Sequence, residues 1–309
     1  MQLLALSLGH NGCNMTKARM YNLTFQDNHL ELQEGTFTNL AVAATMTLRT
    51  GGYSQAPWNS WNLGDHVGDN LQVVEQNRSL LQQRVSQVEG APVQLAWARQ
   101  VHGFETAQVE LTDKAVVPEV DALWTKQRQM ACCILVADCL PVLFAHRRLP
   151  LVAAAHAGWR GLCGQFGHGV IESTLQVLAQ AAGQACADLF DELDVWLGPC
   201  IGPTAFEVGA EVREAFIAGA AEDAEHFCAT QKSGKYWANL PALTRSRLAR
   251  AGVRYVVGND GGDFWCTYGN PDRYFSHRRD ASVLGSAGRM TACIWLRGNQ
   301  GVGQYGSLI

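Results

Sequence analysis

Between Met130 and Trp159 the chain reads MACCILVADCLPVLFAHRRLPLVAAAHAGW, in which one apolar run ends at Cys139 and another at His156. A strand that is apolar on successive residues has no face to give to water, so each run belongs to a strand covered on both sides. Burying such strands requires other elements stacked over them, and the rest of the sequence supplies both kinds. From Phe37 onward short β-type runs alternate with helical stretches, with glycines at the joins, as a mixed α/β architecture requires.

The segment NLQVVEQNRSLLQQRVSQVEG is predicted to form a helix closed by Gly90, and ANLPALTRSRLARAGV a helix with Pro241 in its first turn and Gly252 at its end. A third helix follows the glycine-rich AGWRGLCGQFGHG, with Ile171, Leu175, Leu178 and Ala182 on one face. DVWLGPCIG, VRYVVG and TACIWLRG read as strands, and VQLAWARQVHG as a strand whose exit carries His102. These elements intermingle, which favours one large sandwich over residues 37–309 rather than two domains. Residues 1–36, which include the polar and weakly periodic NMTKARMYNLTFQDNHLELQEG, read as a loosely attached leader.

At 309 residues and 47% hydrophobic, the chain can bury a large core. Its net charge of -4 and pI near 6.1 give no pull toward nucleic acid or anionic lipid and favour a small-molecule substrate. Ten cysteines in a chain of this length, several within core-like sequence, read as reduced thiols. The opening MQLLALSLGHNGC lacks the basic region and cleavage site of a signal peptide, and no stretch reaches the ~18 apolar residues of a membrane span. These features point to the cytoplasm, with no membrane association and no obligate protein partner.

His102, Cys139 and His156 offer two imidazoles and one thiolate, a zinc-type set that leaves a fourth tetrahedral position for water or substrate; copper fits the same donors. Spacing alone does not bring the three together, and a buried core thiol with backbone-satisfied histidines is the commoner fate of such residues. Asp138 beside the cysteine and Arg160 past His156 weigh toward a site, because a purely structural core has little use for charges at strand exits. The glycines of HAGWRG permit close approach of backbone to a ligand, and the following helix N-terminus with Arg160 suits phosphate or another oxyanion. His146, in the polar turn HRR, stays outside this set.

The motifs LRTGGYS, WNLGDHVGDN, NRSLL, QVHG, DALWT, ADCLPVLFA, AAHAGWRG, GPCIGPTAFEVGAEV and YFSHRRD followed by GRM, in this order, resemble those of the laccase-domain family, also described as multicopper polyphenol oxidases or peptidoglycan editing factors. The resemblance runs from about Phe37 to Arg297. It implies an α/β (α+β) fold, a four-layer α/β/β/α sandwich like that of putative cysteine hydrolases. It also implies one metal site built from the histidine of QVHG, the cysteine of ADC and the histidine of HAGWRG, which are His102, Cys139 and His156. Arg49, Asn62, Arg78 and Arg160 match positions expected to line the pocket. SHRRDASVLGSAGRM carries a few more residues than the family's usual form, which alters the pocket edge near Ser286.

Nine histidines without a single H-x-H pair cannot build the type 1 and trinuclear centres of a four-copper oxidase, so at most one copper fits. The resemblance also implies phosphorolysis of adenosine, inosine, guanosine and methylthioadenosine, together with adenosine deamination. An open zinc site suits attack of water on C6 of adenine, with Asp138 either as proton shuttle or as the partner that orients a histidine. Phosphorolysis calls for arginines that hold phosphate against ribose C1′, a demand that Arg160, Arg78 and Arg49 fit. Two alternatives use the same cluster. One is phenol oxidation by a copper-loaded site. The other is hydrolysis by a Cys139 thiolate deprotonated by His102 or His156, as editing of a peptidoglycan precursor requires.

Overall fold

The computed structural model describes residues 25–26, 29–31, 37–111 and 117–298. Most of the leader expected over residues 1–36 therefore lies outside the described residues. One six-stranded sheet runs in the order β1 (Phe25–Gln26), β2 (His29–Glu31), β3 (Val42–Thr47), β15 (Met290–Leu296), β7 (Met130–Val136) and β4 (Gln94–Ala96). A second runs β14 (Tyr255–Gly258), β10 (Leu193–Leu197), β8 (Leu140–His146), β9 (Val152–Ala157), β6 (Ala122–Thr125) and β5 (Thr106–Gln108). A small sheet joins β11 (Glu207–Gly209), β13 (Lys235–Ala238) and β12 (Phe227–Ala229). The helices are α1 (Leu71–Glu89), α2 (Trp159–Cys163), α3 (Val170–Ala182), α4 (Cys186–Phe190), α5 (Ala210–Gly219), α6 (Leu240–Ala251) and α7 (Ser282–Leu284). The fold is thus the mixed α/β class that the sequence predicts. Among the described residues no helix is long and apolar enough to cross a membrane.

Packing explains the continuous apolar runs. On β7, Cys132, Ile134 and Val136 share a core with Leu143, Ala145, Val152 and Ala154 of the second sheet. Its alternate residues Ala131, Cys133 and Leu135 pack instead with Leu81 and Val85 of α1. On β8 and β9, Val142, Phe144, Ala153 and Ala155 face a third core that includes Leu175 of α3 and Leu243 and Leu248 of α6. Both faces of each strand are buried, so the polar residues these strands carry, His146 of β8 and His156 of β9, fall at or next to a strand end.

Helix boundaries fall where the caps put them. Asn70 accepts from the N–H of Gln72 at the start of α1, and Gly90 ends it at φ 72°, a left-handed conformation that glycine adopts without cost. Asn239 accepts from the N–H of Ala242 ahead of α6, which has Pro241 in its first turn and Gly252 at its end. His146 closes β8 fully buried, and its Nδ1 accepts the N–H groups of Arg148 and Leu149 at 3.1 Å each, pinning the HRR turn.

The strand expected to lead into His102 stops early. β4 ends at Ala96, and Gln100 takes over the sheet edge with its side chain, donating to Leu135 O at 2.8 Å and accepting from Leu135 N at 2.7 Å. A side-chain amide thereby replaces a main-chain ladder step, and His102 sits in a loop.

Candidate metal centre

Strand register assembles the site. β8 and β9 pair Leu140 with Ala157, and β6 and β9 pair Ala122 with Ala155. One residue further along each ladder, Cys139 comes opposite Gly158 and Asp121 opposite His156. The N–H of His156 donates to the Asp121 carbonyl at 2.7 Å.

The fully buried Asp121 carboxylate then organises the remaining groups. It accepts the N–H groups of Val101, His102 and Gly103 at 3.2, 3.0 and 2.7 Å, and Oδ1 lies 2.8 Å from His156 Nδ1. The QVHG loop wraps around this one anion, with His102 in the left-handed region at φ 59°. Such a conformation is disfavoured for a side-chain-bearing residue and is here imposed by its partners.

His102 Nε2 lies 4.0 Å from Cys139 Sγ, and the two imidazoles meet edge to face with centroids 4.9 Å apart. One donor atom each from exposed His102, half-buried Cys139 and buried His156 lies within 4.8 Å of the others. The HAGWRG glycines serve this convergence. A Cβ on Gly158 would stand 2.9 Å from Cys139 Sγ and 3.2 Å from His102 Cδ2, and one on Gly161 would stand 2.4 Å from Gly103 O. Close backbone approach is thus needed by the ligand loops themselves.

Charges at the centre reinforce one another. Burial pushes the Cys139 thiol up, but the His156 charge and the hydrogen bond from His102 outweigh it and bring the thiol down to about 6. Burial likewise pushes the His156 imidazole down, and the Cys139 thiolate and the Asp121 bond reverse this, raising it to about 9. Asp121 is pushed up by burial, yet the bond to His156, its charge and the backbone donors hold it below the usual carboxylate range. Thiolate with two imidazoles, one of them fixed by a carboxylate on its far nitrogen, is a donor set suited to a metal ion. Among the described residues the cluster holds no fourth such donor, so a tetrahedral ion held by these three would keep one position for water or substrate.

The other expected site residues hold loops. Asp138, at φ 89°, accepts Thr267 Oγ1 at 2.6 Å on Oδ1, and Ser276 Oγ at 3.1 Å and the N–H of Arg278 at 2.6 Å on Oδ2, so it clamps the YFSHRRD segment to the ADC turn. The carboxylate bonded to a histidine of the cluster is Asp121. Asn62 is buried, donating to Gly64 O and Asp69 Oδ2 and accepting the N–H groups of Gly64 and Arg289. Arg49 donates to Pro271 O at 2.8 Å and lies over the Phe275 ring. Arg78 donates to Leu63 O, pairs with Asp65 at 3.3 Å and stacks on Trp97. It borders a cavity of about 630 Å³ whose lining contains none of His102, Cys139 and His156. Arg160 is exposed over the Trp159 ring. At the enlarged pocket edge, Ser286 Oγ donates to Val67 O at 2.6 Å and accepts from Trp58 Nε1 at 3.1 Å.

Residues 43–297 match the family described as multi-copper polyphenol oxidoreductase laccase. The chain is 43% identical over 256 residues to a Pseudomonas aeruginosa protein named purine nucleoside phosphorylase, covering 83% of this chain and 94% of that one. It is 42% identical to Purine nucleoside phosphorylase YfiH of Escherichia coli, covering 82% and 94%. Among solved structures, protein NMB0706 of Neisseria meningitidis superposes with a TM-score of 0.74 at 38% identity, covering 88% of this chain and 100% of that one. YlmD of Geobacillus stearothermophilus does so with 0.75 at 27% identity, covering 89% and 99%.

Proposed function

This chain belongs to the multi-copper polyphenol oxidoreductase laccase family, and we propose that it is a zinc-dependent purine nucleoside phosphorylase acting on adenosine, inosine, guanosine and methylthioadenosine, with adenosine deaminase activity. The observation that carries this reading is the convergence of His102, Cys139 and His156 into a cluster open at His102 and anchored by Asp121. Zinc held by His102, Cys139 and His156 would supply Lewis acidity to a nucleoside bound there. The names of the relatives support phosphorolysis, in which a phosphate oxygen bonds to ribose C1′ as the C1′–N9 bond breaks. The purine departs with that electron pair and takes up a proton, leaving ribose 1-phosphate. In deamination, water adds at C6 and ammonia leaves.

A second reading has an observation of its own. Asp121, His156 and Cys139 form a carboxylate–imidazole–thiolate series, with the thiol at about 6, as a cysteine-type hydrolase that edits peptidoglycan precursors would use. Copper in the same donors would make the protein a one-copper polyphenol oxidase.

The remaining parts of the reading follow the same residues. The three cores support a four-layer stack, with α1, the two large sheets, and α3 with α6 in succession, resembling that of cysteine hydrolases. The catalytic domain is assigned to residues 37–309, and β2, from the segment before it, pairs with β3 at the edge of the first sheet. The nine cysteines among the described residues are free, which suits a reducing cytoplasm, and purine nucleoside and phosphate are the partners, with no obligate protein partner.

The test is purification under defined metals, followed by assay of adenosine with and without phosphate. Adenine and ribose 1-phosphate from zinc-loaded protein support the reading, and phosphate-independent inosine alone reduces it to a deaminase. Phenol oxidation by copper-loaded protein alongside an inert zinc form sinks it.

A further inference from the structure

Arg289 immediately precedes β15, and the pairing of Met290 with Val136 sets it opposite Ala137, at the mouth of the ADC turn. Its stem lies against Gly64, where a Cβ would come within 2.7 Å of Arg289 Cγ, and its N–H donates to the buried Asn62 Oδ1 at 2.9 Å. Nη1 donates to the carbonyls of Ala287 and Gly288 at 2.8 and 3.2 Å, which fixes the plane of the guanidinium. Among the described residues, Nε and Nη2 hydrogen-bond no protein group.

The surroundings do not neutralise this cation. The negative groups facing it are Cys139, a metal ligand, and Asp138, whose oxygens already take Thr267, Ser276 and Arg278. Two imidazoles lie within reach of its charge. In both His66 and His277 burial, and after it the charge of Arg289, presses the ring below its ordinary value. Asp65, the carboxylate nearest His66, is shared with Arg78. A guanidinium with a free edge, flanked by two imidazole donors next to a metal centre, offers what a tetrahedral oxyanion binds.

We propose that Arg289, flanked by His66 and His277, is the subsite that holds inorganic phosphate beside the metal centre. This assigns to Arg289 the part expected of Arg160, Arg78 and Arg49; the guanidiniums of Arg49 and Arg78 are engaged by loop carbonyls and aromatic rings, and Arg160 is exposed over the Trp159 ring. Its place in phosphorolysis rests on the phosphorylase reading, whereas its affinity for phosphate does not.

Calorimetric titration of inorganic phosphate into zinc-loaded full-length protein, with nucleoside absent, tests it. The wild type is expected to bind, and Arg289→Met to bind about tenfold more weakly or worse at unchanged zinc content. Arg289→Lys, which keeps the charge and loses the bidentate fork, replaces it if the methionine variant does not fold and is expected to weaken phosphate binding as well. Equal affinity in the variants, or no binding by the wild type, overturns the proposal. Arg289-dependent binding without ribose 1-phosphate formation upholds the subsite and removes the phosphorylase reading. Phosphorolysis with an unchanged KM for phosphate in Arg289→Met does the reverse.

Discussion

Asp121 Oδ1 lies 2.8 Å from His156 Nδ1, and the same carboxylate collects the N–H groups of Val101, His102 and Gly103. One buried anion therefore sets the His156 ring and the loop that carries His102. Asp121→Asn keeps the shape but removes the charge that orients His156. Metal affinity, read by chelator competition, is expected to fall about 10–100-fold. Unchanged affinity would show that the cluster does not depend on this carboxylate.

The metal-free protein should carry a reactive thiolate at mildly acidic pH. Cys139 titrates at about 6 and His156 at about 9, so the ion pair exists between these limits. The lowered thiol contributes stability that is present above its unfolded pKa and lost as pH falls through about 6. The raised imidazole contributes stability that is fully present below its unfolded pKa and lost as pH rises through about 9. Iodoacetamide labelling of the Cys139 peptide, followed by mass spectrometry, should show a midpoint near 6 that moves toward ~8.5 in His156→Gln. A wild-type midpoint already near ~8.5 contradicts the pairing.

Gly158→Ala places a methyl group 2.9 Å from Cys139 Sγ and 3.2 Å from His102 Cδ2. The variant should fold with a penalty of about 1–3 kcal/mol and lose most of its bound metal. Full metal occupancy at wild-type stability would mean that the ligands do not need this close approach.

Asp138→Asn removes a buried charge that holds three donors from the 267–278 region. Urea unfolding should show a loss of about 2–3 kcal/mol, with Thr267→Val shifting stability in the same direction. Unchanged stability, with deamination abolished in metal-loaded protein, would assign Asp138 to proton transfer instead.

Much of this was legible in the residues. Caps at Asn70, Gly90 and Gly252 bound α1 and α6, and the two-sided burial of β7, β8 and β9 is written in their unbroken apolar runs. His102, Cys139 and His156 could be named as candidate ligands, and their convergence, which the structure shows, was implied by family resemblance. Asp121 was not legible as the organising carboxylate, because it lies 35 residues from His156 and meets it only through the β6–β9 register. Asp138, adjacent to Cys139 in sequence, accepts from Thr267, Ser276 and Arg278 in the structure, partners that no local pattern marks. The loop at His102 was hidden too, since a glutamine side chain standing in for a strand residue leaves no periodic mark. The place of Arg289 opposite Ala137, beside the ADC turn, follows only when β15 is laid beside β7.

The central claim is that His102, Cys139 and His156 hold one metal ion in a three-ligand, open site. X-ray absorption of zinc-loaded protein, with zinc content measured for the wild type and Cys139→Ala, tests it most directly. The account predicts one zinc per chain, one sulfur at about 2.3 Å, imidazole nitrogens at about 2.0 Å, and loss of the metal in Cys139→Ala. A coordination sphere without sulfur, or stoichiometric zinc retained by Cys139→Ala, would contradict it.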